Sequence, residues 1–233
     1  MESKPQAFWL DALGKADAFT TWVFEQARPH LGRSVLEIGC GSGTYTRLLA
    51  ASAATVQAVE IDERFVAEAQ AATRGLDNVT VRKADAAKER YQQEFDTVLM
   101  LDVLEHIEDD RTLLRNLAEA LRPEGRLILK VPAFPWLFGT MDQAVGHHRR
   151  YTREDLAARL VDSGFHEPEM WYFNAAAIPG WWLNGVVLKR VTPPASQLTW
   201  FERVLPVVKT IDRVVRPLMG LSLFAVARKS ASG

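Results

Sequence analysis

Residues 35–46 read Val-Leu-Glu-Ile-Gly-Cys-Gly-Ser-Gly-Thr-Tyr-Thr, an apolar run entering three alternating glycines and then a helix-forming stretch. Glycine reaches backbone angles closed to other residues and leaves room where a side chain would stand, so a ligand can lie against main chain. Glu37, just ahead of the loop, sets the sign of that ligand. A carboxylate is a poor neighbour for a pyrophosphate and a good one for a cation. The third glycine comes one position early for Gly-x-Gly-x-x-Gly, with Thr44 where the dinucleotide pattern has glycine or alanine.

Downstream, Thr55–Ile61 reads as a second buried strand ending at Glu60, about 20 residues past the glycine turn. That spacing sets a carboxylate at a strand tip, where it can accept ribose hydroxyls. A third strand, Val79–Lys83, runs into Asp85 and Ala86, and a fourth, Phe95–Leu101, into Asp102-Val103-Leu104-Glu105-His106. Four strand ends thus offer polar groups to one crevice, where open parallel sheets bind ligands.

The loop Leu36-Glu37-Ile38-Gly39-Cys40-Gly41-Ser42-Gly43 and the segment Asp102–His106 resemble the class I S-adenosylmethionine-dependent methyltransferases, in particular the small-molecule group of type 11/12 enzymes. The resemblance covers roughly residues 33–174 and the closing strand. It implies a Rossmann-like α/β fold: a seven-stranded, mostly parallel sheet with helices on both faces. It implies S-adenosylmethionine as cofactor, held by Glu37, Gly39, Cys40, Gly41, Gly43, Glu60, Ile61, Asp85, Ala86, Leu101 and Asp102. In that assignment the glycines shape the methionine turn, Glu60 takes ribose, Asp85 with Ala86 takes adenine, and Leu101 and Asp102 meet the methionine end.

The remaining elements follow from periodicity. Helices are expected at Thr44–Ala54, Glu63–Thr73, Glu108–Leu121 and Thr152–Ser163, the last capped by Thr152. One or two more are expected across Phe8–Ala27. Arg122-Pro123-Glu124-Gly125 has the residues of a type I turn, and Arg126–Val131 is a fifth strand. Pro168–Asn174 and Leu221–Val226 are the last two strands. In this topology those two join by a short turn; here Ala175–Gly220 intervenes as a helical insertion with its own job. The reading is one domain, 1–233, with a cap (1–30), a cofactor core (31–174), a lid (175–220) and a final strand (221–228).

Methyl transfer to a hydroxyl needs a base, and histidine suits neutral pH. Of the five histidines, His30 and His166 read as peripheral, in a helix exit and a turn. His106 follows the fourth strand; His147 and His148 sit in Met141–Thr152, the loop that covers the acceptor in this fold. These three are the candidate bases. The competing role for the loop is a clasp in which Arg149 or Arg150 pairs with Asp142. Acceptor contacts are expected from Arg149, Arg150, Tyr151, Trp181 and Trp182. The sulfonium is already activated, so no metal is expected, although Asp102, Glu105 and His106 are a possible ligand set. Oxygen is the favoured nucleophile; nitrogen or carbon transfer, and a non-catalytic cofactor-binding partner, are the alternatives.

The bulk numbers set the frame. The 233 residues are 48% hydrophobic and 24% charged, with net charge −1, which suits a globular α/β domain. Cys40 is the single cysteine, so no intrachain disulfide exists and a reducing cytoplasm is expected. Its place in the loop fits a need for a small side chain. The net charge hides a split of −7 before residue 175 and +6 from 175 onward. Ala175–Leu188 is apolar but too short to span a bilayer. Thr199–Pro217 reads as an amphipathic helix bent at Pro206, with Phe201, Val204, Leu205, Val208, Ile211 and Val215 on one face. The insertion is expected to roof a small-molecule or lipid-linked acceptor, with peripheral membrane contact or a dimer interface as alternatives. The acidic body and the lack of an Asn-Pro-Pro-Tyr segment after the fourth strand argue against a nucleic-acid substrate.

Overall fold

A computed structural model describes residues 8–9, 16–215 and 218–230. Seven strands form one sheet in the order β3-β2-β1-β4-β5-β7-β6. They are β1 (Ser34–Ile38), β2 (Thr55–Glu60), β3 (Val79–Lys83), β4 (Phe95–Leu101), β5 (Leu121–Pro132), β6 (Phe165–Phe173) and β7 (Ser222–Lys229). β1 to β5 run parallel, and β7 is antiparallel to both its neighbours. The sheet reverses direction of winding between β1 and β4, so a crevice opens beyond their C-terminal ends.

The helices are α1 (Asp17–Ala27), α2 (Thr44–Ala50), α3 (Glu63–Ala72), α4 (Asp110–Ala120), α5 (Thr140–Val145), α6 (Arg153–Asp162), α7 (Ile178–Trp181) and α8 (Ala195–Val215). Alternation along each strand splits the core between two faces. Leu36, Ile38, Leu127 and Leu129 pack with Leu113, Leu117, Leu156 and Leu160 of α4 and α6. Val35, Ile128 and Val226 pack the other way, with Phe24 of α1 and Leu49 of α2. On that second face α8 adds Leu205 and Val208 against Trp22, Val23, Phe173 and Phe224. No helix of the described residues is long and apolar enough to cross a membrane.

Several expectations shift. α2 stops at Ala50 rather than Ala54, because Asn78 donates to the carbonyls of Ala50 (2.8 Å) and Ala53 (3.1 Å) and turns the chain. Residues 122–125 are not a separate turn ahead of the fifth strand: they lie within β5, at a register shift against β4 between Phe95 and Thr97, where Glu124 takes φ +62°. His166 lies on β6, not in a turn, beside a bulge where Pro168 has no N–H to give the ladder. α8 runs continuously through Pro206, and its inward face differs by one position: Asp212 is buried, with Oδ1 accepting from Ala175 N at 3.0 Å, and Ile211 faces out. Of the expected N-terminal helix, residues 10–15 lie outside the described residues.

Candidate active site

The glycine loop leaves β1 at the switch point. Gly39 and Gly43 have φ of +72° and +84°, and a Cβ on Gly39 would stand 2.5 Å from Val103 Cγ2. Neither position tolerates a side chain without strain. Behind the loop, Glu37 is buried, and its Oε2 accepts from Thr46 Oγ1 at 2.6 Å. Burial pushes the Glu37 carboxyl up to about 7, against the lowering effect of the Thr46 hydrogen bond. Cys40 is buried as well, and burial followed by the Glu37 and Glu60 charges pushes its thiol up, away from nucleophilic reactivity.

Glu60, at the tip of β2, ties its carboxylate to the same loop. Its Oε2 accepts from Gly41 N (3.0 Å), and its Oε1 from Ile61 N (2.8 Å) and Asp62 N (3.1 Å). A carboxylate offers about four acceptor sites, so a hydroxyl can still be taken. The Ile61 side chain is exposed beside it. At the tip of β3, Asp85 is held low by the Lys88 ammonium and accepts from Ala87 N at 3.1 Å; Ala86 packs half-buried on the core. At the tip of β4, Asp102 takes φ +55° and pairs with the buried Lys130 amine, while Leu101 packs beneath it. A side-chain-free bend over a buried carboxyl, with carboxylates at the tips of β2, β3 and β4 around β1, fits a ligand bearing positive charge, a ribose and an adenine.

The opposite wall is built from longer-range contacts. α5 ends at Gly146 (φ +84°), and the turn returns His147 to the helix, its N–H donating to the Asp142 carbonyl at 3.0 Å. The side chains repeat that contact, with His147 Nδ1 lying 2.9 Å from Asp142 Oδ1. Asp142 Oδ1 also accepts from Arg150 Nε at 2.9 Å, and Oδ2 accepts from Gly139 N at 3.0 Å. Burial alone would raise the Asp142 carboxyl; the His147 hydrogen bond and the Arg150 charge overcome it and hold the group below its ordinary value. Arg150 is buried, donates to the Ala133 carbonyl at 3.0 Å and lies 4.7 Å over the Trp181 ring.

His147 Nε2 points to Glu105, at 3.7 Å from its Oε1. Glu105 is fully buried, and neither carboxyl oxygen has a hydrogen-bond partner among the described residues. Burial, then the Asp102 charge, raises its carboxyl well above its ordinary value. The His106 ring meets His147 edge to face at 4.7 Å and bonds to the Gly146 backbone. Burial, then the neighbouring His147, lowers its imidazole to about 4. Ligand atoms of Glu105, His106 and His147 all lie within 4.8 Å of one another.

The structure brings His106 and His147 together and leaves His148 exposed at the surface. Of the two arginines, Arg150 is the one that clasps Asp142. Arg149 turns to Asp110 (2.7 Å), as does the fully buried Tyr151 hydroxyl (3.0 Å), so both fix the start of α4. Trp181 packs on Trp9 at 5.8 Å, and Trp182 is exposed. Asp142 and Glu105 are the polar groups whose importance the sequence understated. Only the spacing of Asp142 to Gly146 and His147 hinted at a returning turn.

Residues 36–129 match a family model described as a methyltransferase domain. A mitochondrial ubiquinone biosynthesis O-methyltransferase of Schizosaccharomyces pombe is 34% identical over 115 residues, covering 48% of this chain and 42% of that protein. A probable S-adenosylmethionine-dependent methyltransferase of Mycobacterium tuberculosis is 30% identical over 152 residues, covering 64% and 54%. The matches thus span about half the length of these curated relatives. The crystal structure of an S-adenosylmethionine-dependent methyltransferase from Mesorhizobium loti shares the fold, with TM-score 0.60 and 21% identity over 86% of this chain and 93% of that one. Residues 36–129 thus carry a methyltransferase domain, on a Rossmann-like fold shared with a solved S-adenosylmethionine-dependent methyltransferase.

Proposed function

We propose that the chain methylates an oxygen of a small or lipid-like organic acceptor, with His147 as the general base. The observation that carries this reading is the Asp142–His147 pair at 2.9 Å, which leaves Nε2 at the tip of β4. The relative named for O-methylation in ubiquinone biosynthesis supports the choice of oxygen. Bound S-adenosylmethionine supplies a methyl group already activated by sulfonium charge. Gly39, Cys40, Gly41 and Gly43 would cradle its methionine portion with Leu101 and Asp102, Glu37 facing the positive charge. Glu60 and Ile61 would hold the ribose, and Asp85 and Ala86 the adenine.

As the acceptor oxygen bonds to the methyl carbon and the carbon–sulfur bond breaks to leave a neutral thioether, the oxygen's proton would pass to His147 Nε2. Asp142 accepts the Nδ1 proton in a hydrogen bond and stabilises the imidazolium. His106, lowered to about 4, is the poorer base and serves to orient the acceptor. Glu105 stands 3.7 Å from Nε2, its carboxyl pushed toward the protonated form by burial. Residues 175–220 would roof this wall, since Thr140 Oγ1 donates to the Gly185 carbonyl at 3.0 Å and Trp181 stacks under Arg150.

Hydroxyl-bearing quinol, phenol and lipid-linked acceptors, screened by mass spectrometry for the gain of one methylene, test the reading. His147→Ala is expected to lower kcat by about 10²–10⁴-fold while S-adenosylhomocysteine binds as before. Equal turnover in His147→Ala at every pH would leave the Asp142 network as a clasp and remove the base. Chelation by EDTA is expected to leave the rate unchanged. Lost activity restored by a divalent cation would instead give Glu105, His106 and His147 to a metal.

A further inference from the structure

Of the fifteen large apolar side chains that stand exposed among the described residues, eleven fall between Trp182 and Met219. That concentration is not the leftover of a half-packed helix. α8 already buries Leu205 and Val208 against Trp22, Val23, Phe173 and Phe224. A second apolar line runs beside that buried face: Trp200, Val207, Ile211 and Val214, with Leu218 just beyond the helix end. Their spacings of seven, four and three put them on one side of an α-helix. Val207 is 62% exposed and Val214 76%. Trp182, Leu183, Val187, Leu188 and Val191 extend the apolar surface through the segment before α8.

The exposed charges that residues 175–220 themselves contribute have one sign; beside α8, the exposed acid Glu25 of α1 is paired with Lys209. Lys189, Arg190, Arg203 and Arg213 are exposed. The two acids of residues 175–220, Glu202 and Asp212, are partly and fully buried, and Asp212 is engaged by the Ala175 N–H. We propose that α8 and the preceding segment dock on a bilayer surface bearing anionic headgroups, lying in its plane without crossing it. The apolar line enters the headgroup boundary, Trp182 and Trp200 sit at its level, and the arginines and lysine meet lipid phosphate. A second copy of the chain fits less well. A two-fold contact through this line would bring Arg203 and Arg213 near their own copies, with no exposed carboxylate of the segment to offset them.

Docking would also bring the acceptor wall to the lipid, since Thr140 and Arg150 are tied to Gly185 and Trp181 of the same segment. The proposal rests on the surface of α8 and stands whether or not the acceptor assignment does.

The test is flotation of the full chain with phosphatidylcholine vesicles, with and without phosphatidylglycerol, at low and high salt. Wild type is expected to float with the phosphatidylglycerol vesicles at low salt and to release as salt rises. Val207→Glu/Val214→Glu, at exposed positions, is expected to weaken partition by about tenfold or more at an unchanged urea midpoint. Arg203→Glu/Arg213→Glu is expected to abolish the preference for the anionic lipid while leaving the fold intact. No flotation at low salt, or equal flotation of the Val207→Glu/Val214→Glu form, overturns the proposal. So does a soluble dimer that this double substitution dissolves in the absence of vesicle binding, which would assign the line to a second copy.

Discussion

The two walls of the crevice are built by different means. The glycine-loop wall is main chain answered by main chain: Gly39 and Cys40 donate to the Val59 carbonyl at 2.8 and 3.2 Å, and Glu60 gathers three backbone N–H groups. All of it comes from β1, β2 and the turns that follow them. The His147 wall is side chain answered by side chain. Asp142, Arg150, Glu105 and Trp181 reach it from α5, the loop after it, the exit of β4 and the insertion. A wall of backbone distributes its strength, whereas a wall of buried charges concentrates it in single groups. Apart from Gly39 and Gly43, where no side chain fits, the first should resist point substitution and the second should not.

Asp142→Ala is the sharpest way to break that contrast. It leaves the Arg150 guanidinium buried without its carboxylate and frees the His147 ring. Removing one partner of a buried pair costs about 3–5 kcal/mol. Urea unfolding should therefore show a large drop in midpoint, and turnover should fall with it. A midpoint within the error of wild type would mean that the acceptor wall is as redundant as the loop wall.

Glu37→Gln probes the loop wall and should be milder. The amide still accepts from Thr46, so the fold holds, but the charge proposed to face a cationic donor is gone. Hydrogen bonds and contacts to charged groups contribute about 1.5–3 kcal/mol, so calorimetry should show donor affinity roughly ten- to a hundredfold weaker. The pH dependence is the stricter check. Burial raises Glu37 to about 7, so its contribution to the stability of the unliganded fold is present below the ordinary carboxyl value and lost as pH rises through about 7. A cation favours the ionised form, so affinity should rise with pH up to about 7 and level off above. Binding below that point should release a proton, and Glu37→Gln should flatten the curve. A flat wild-type curve would place the positive charge of the donor elsewhere.

The same contrast explains what was legible in the sequence. β1 to β4 and their tips could be read locally, because buried parallel strands are continuous apolar runs and the loop glycines are adjacent in the chain. His106 and His147 could be named as bases but not joined. Their meeting depends on Asp142, 36 residues past His106 in the chain, and on the left-handed Gly146. Asp110 offered no local sign that it would gather Arg149, Arg159 and Tyr151. The facing of α8 was ambiguous for a different reason. The helix carries two apolar lines, and hydropathy cannot say which one meets α1; the buried Asp212 settled it by capping the Ala175 N–H.

Thr46→Val should have the smallest effect, and it separates charge from packing within the loop wall. Thr46 is fully buried, and valine fills nearly the same volume, so the loss is one hydrogen bond of 2.6 Å to Glu37 Oε2. A net loss of about 1 kcal/mol is expected. The loss should not be uniform in pH. The Thr46 hydrogen bond lowers the Glu37 carboxyl, so without it burial drives that group above its wild-type value of about 7. At low pH the carboxyl is already protonated and the substitution should be nearly silent; the deficit should open as pH rises past neutrality, where an ionised Glu37 has lost its donor. The inflection in donor affinity should move upward with it. A deficit equal at all pH values would show that Thr46 supports the helix start by packing alone, and that the loop wall does not depend on the Glu37 charge.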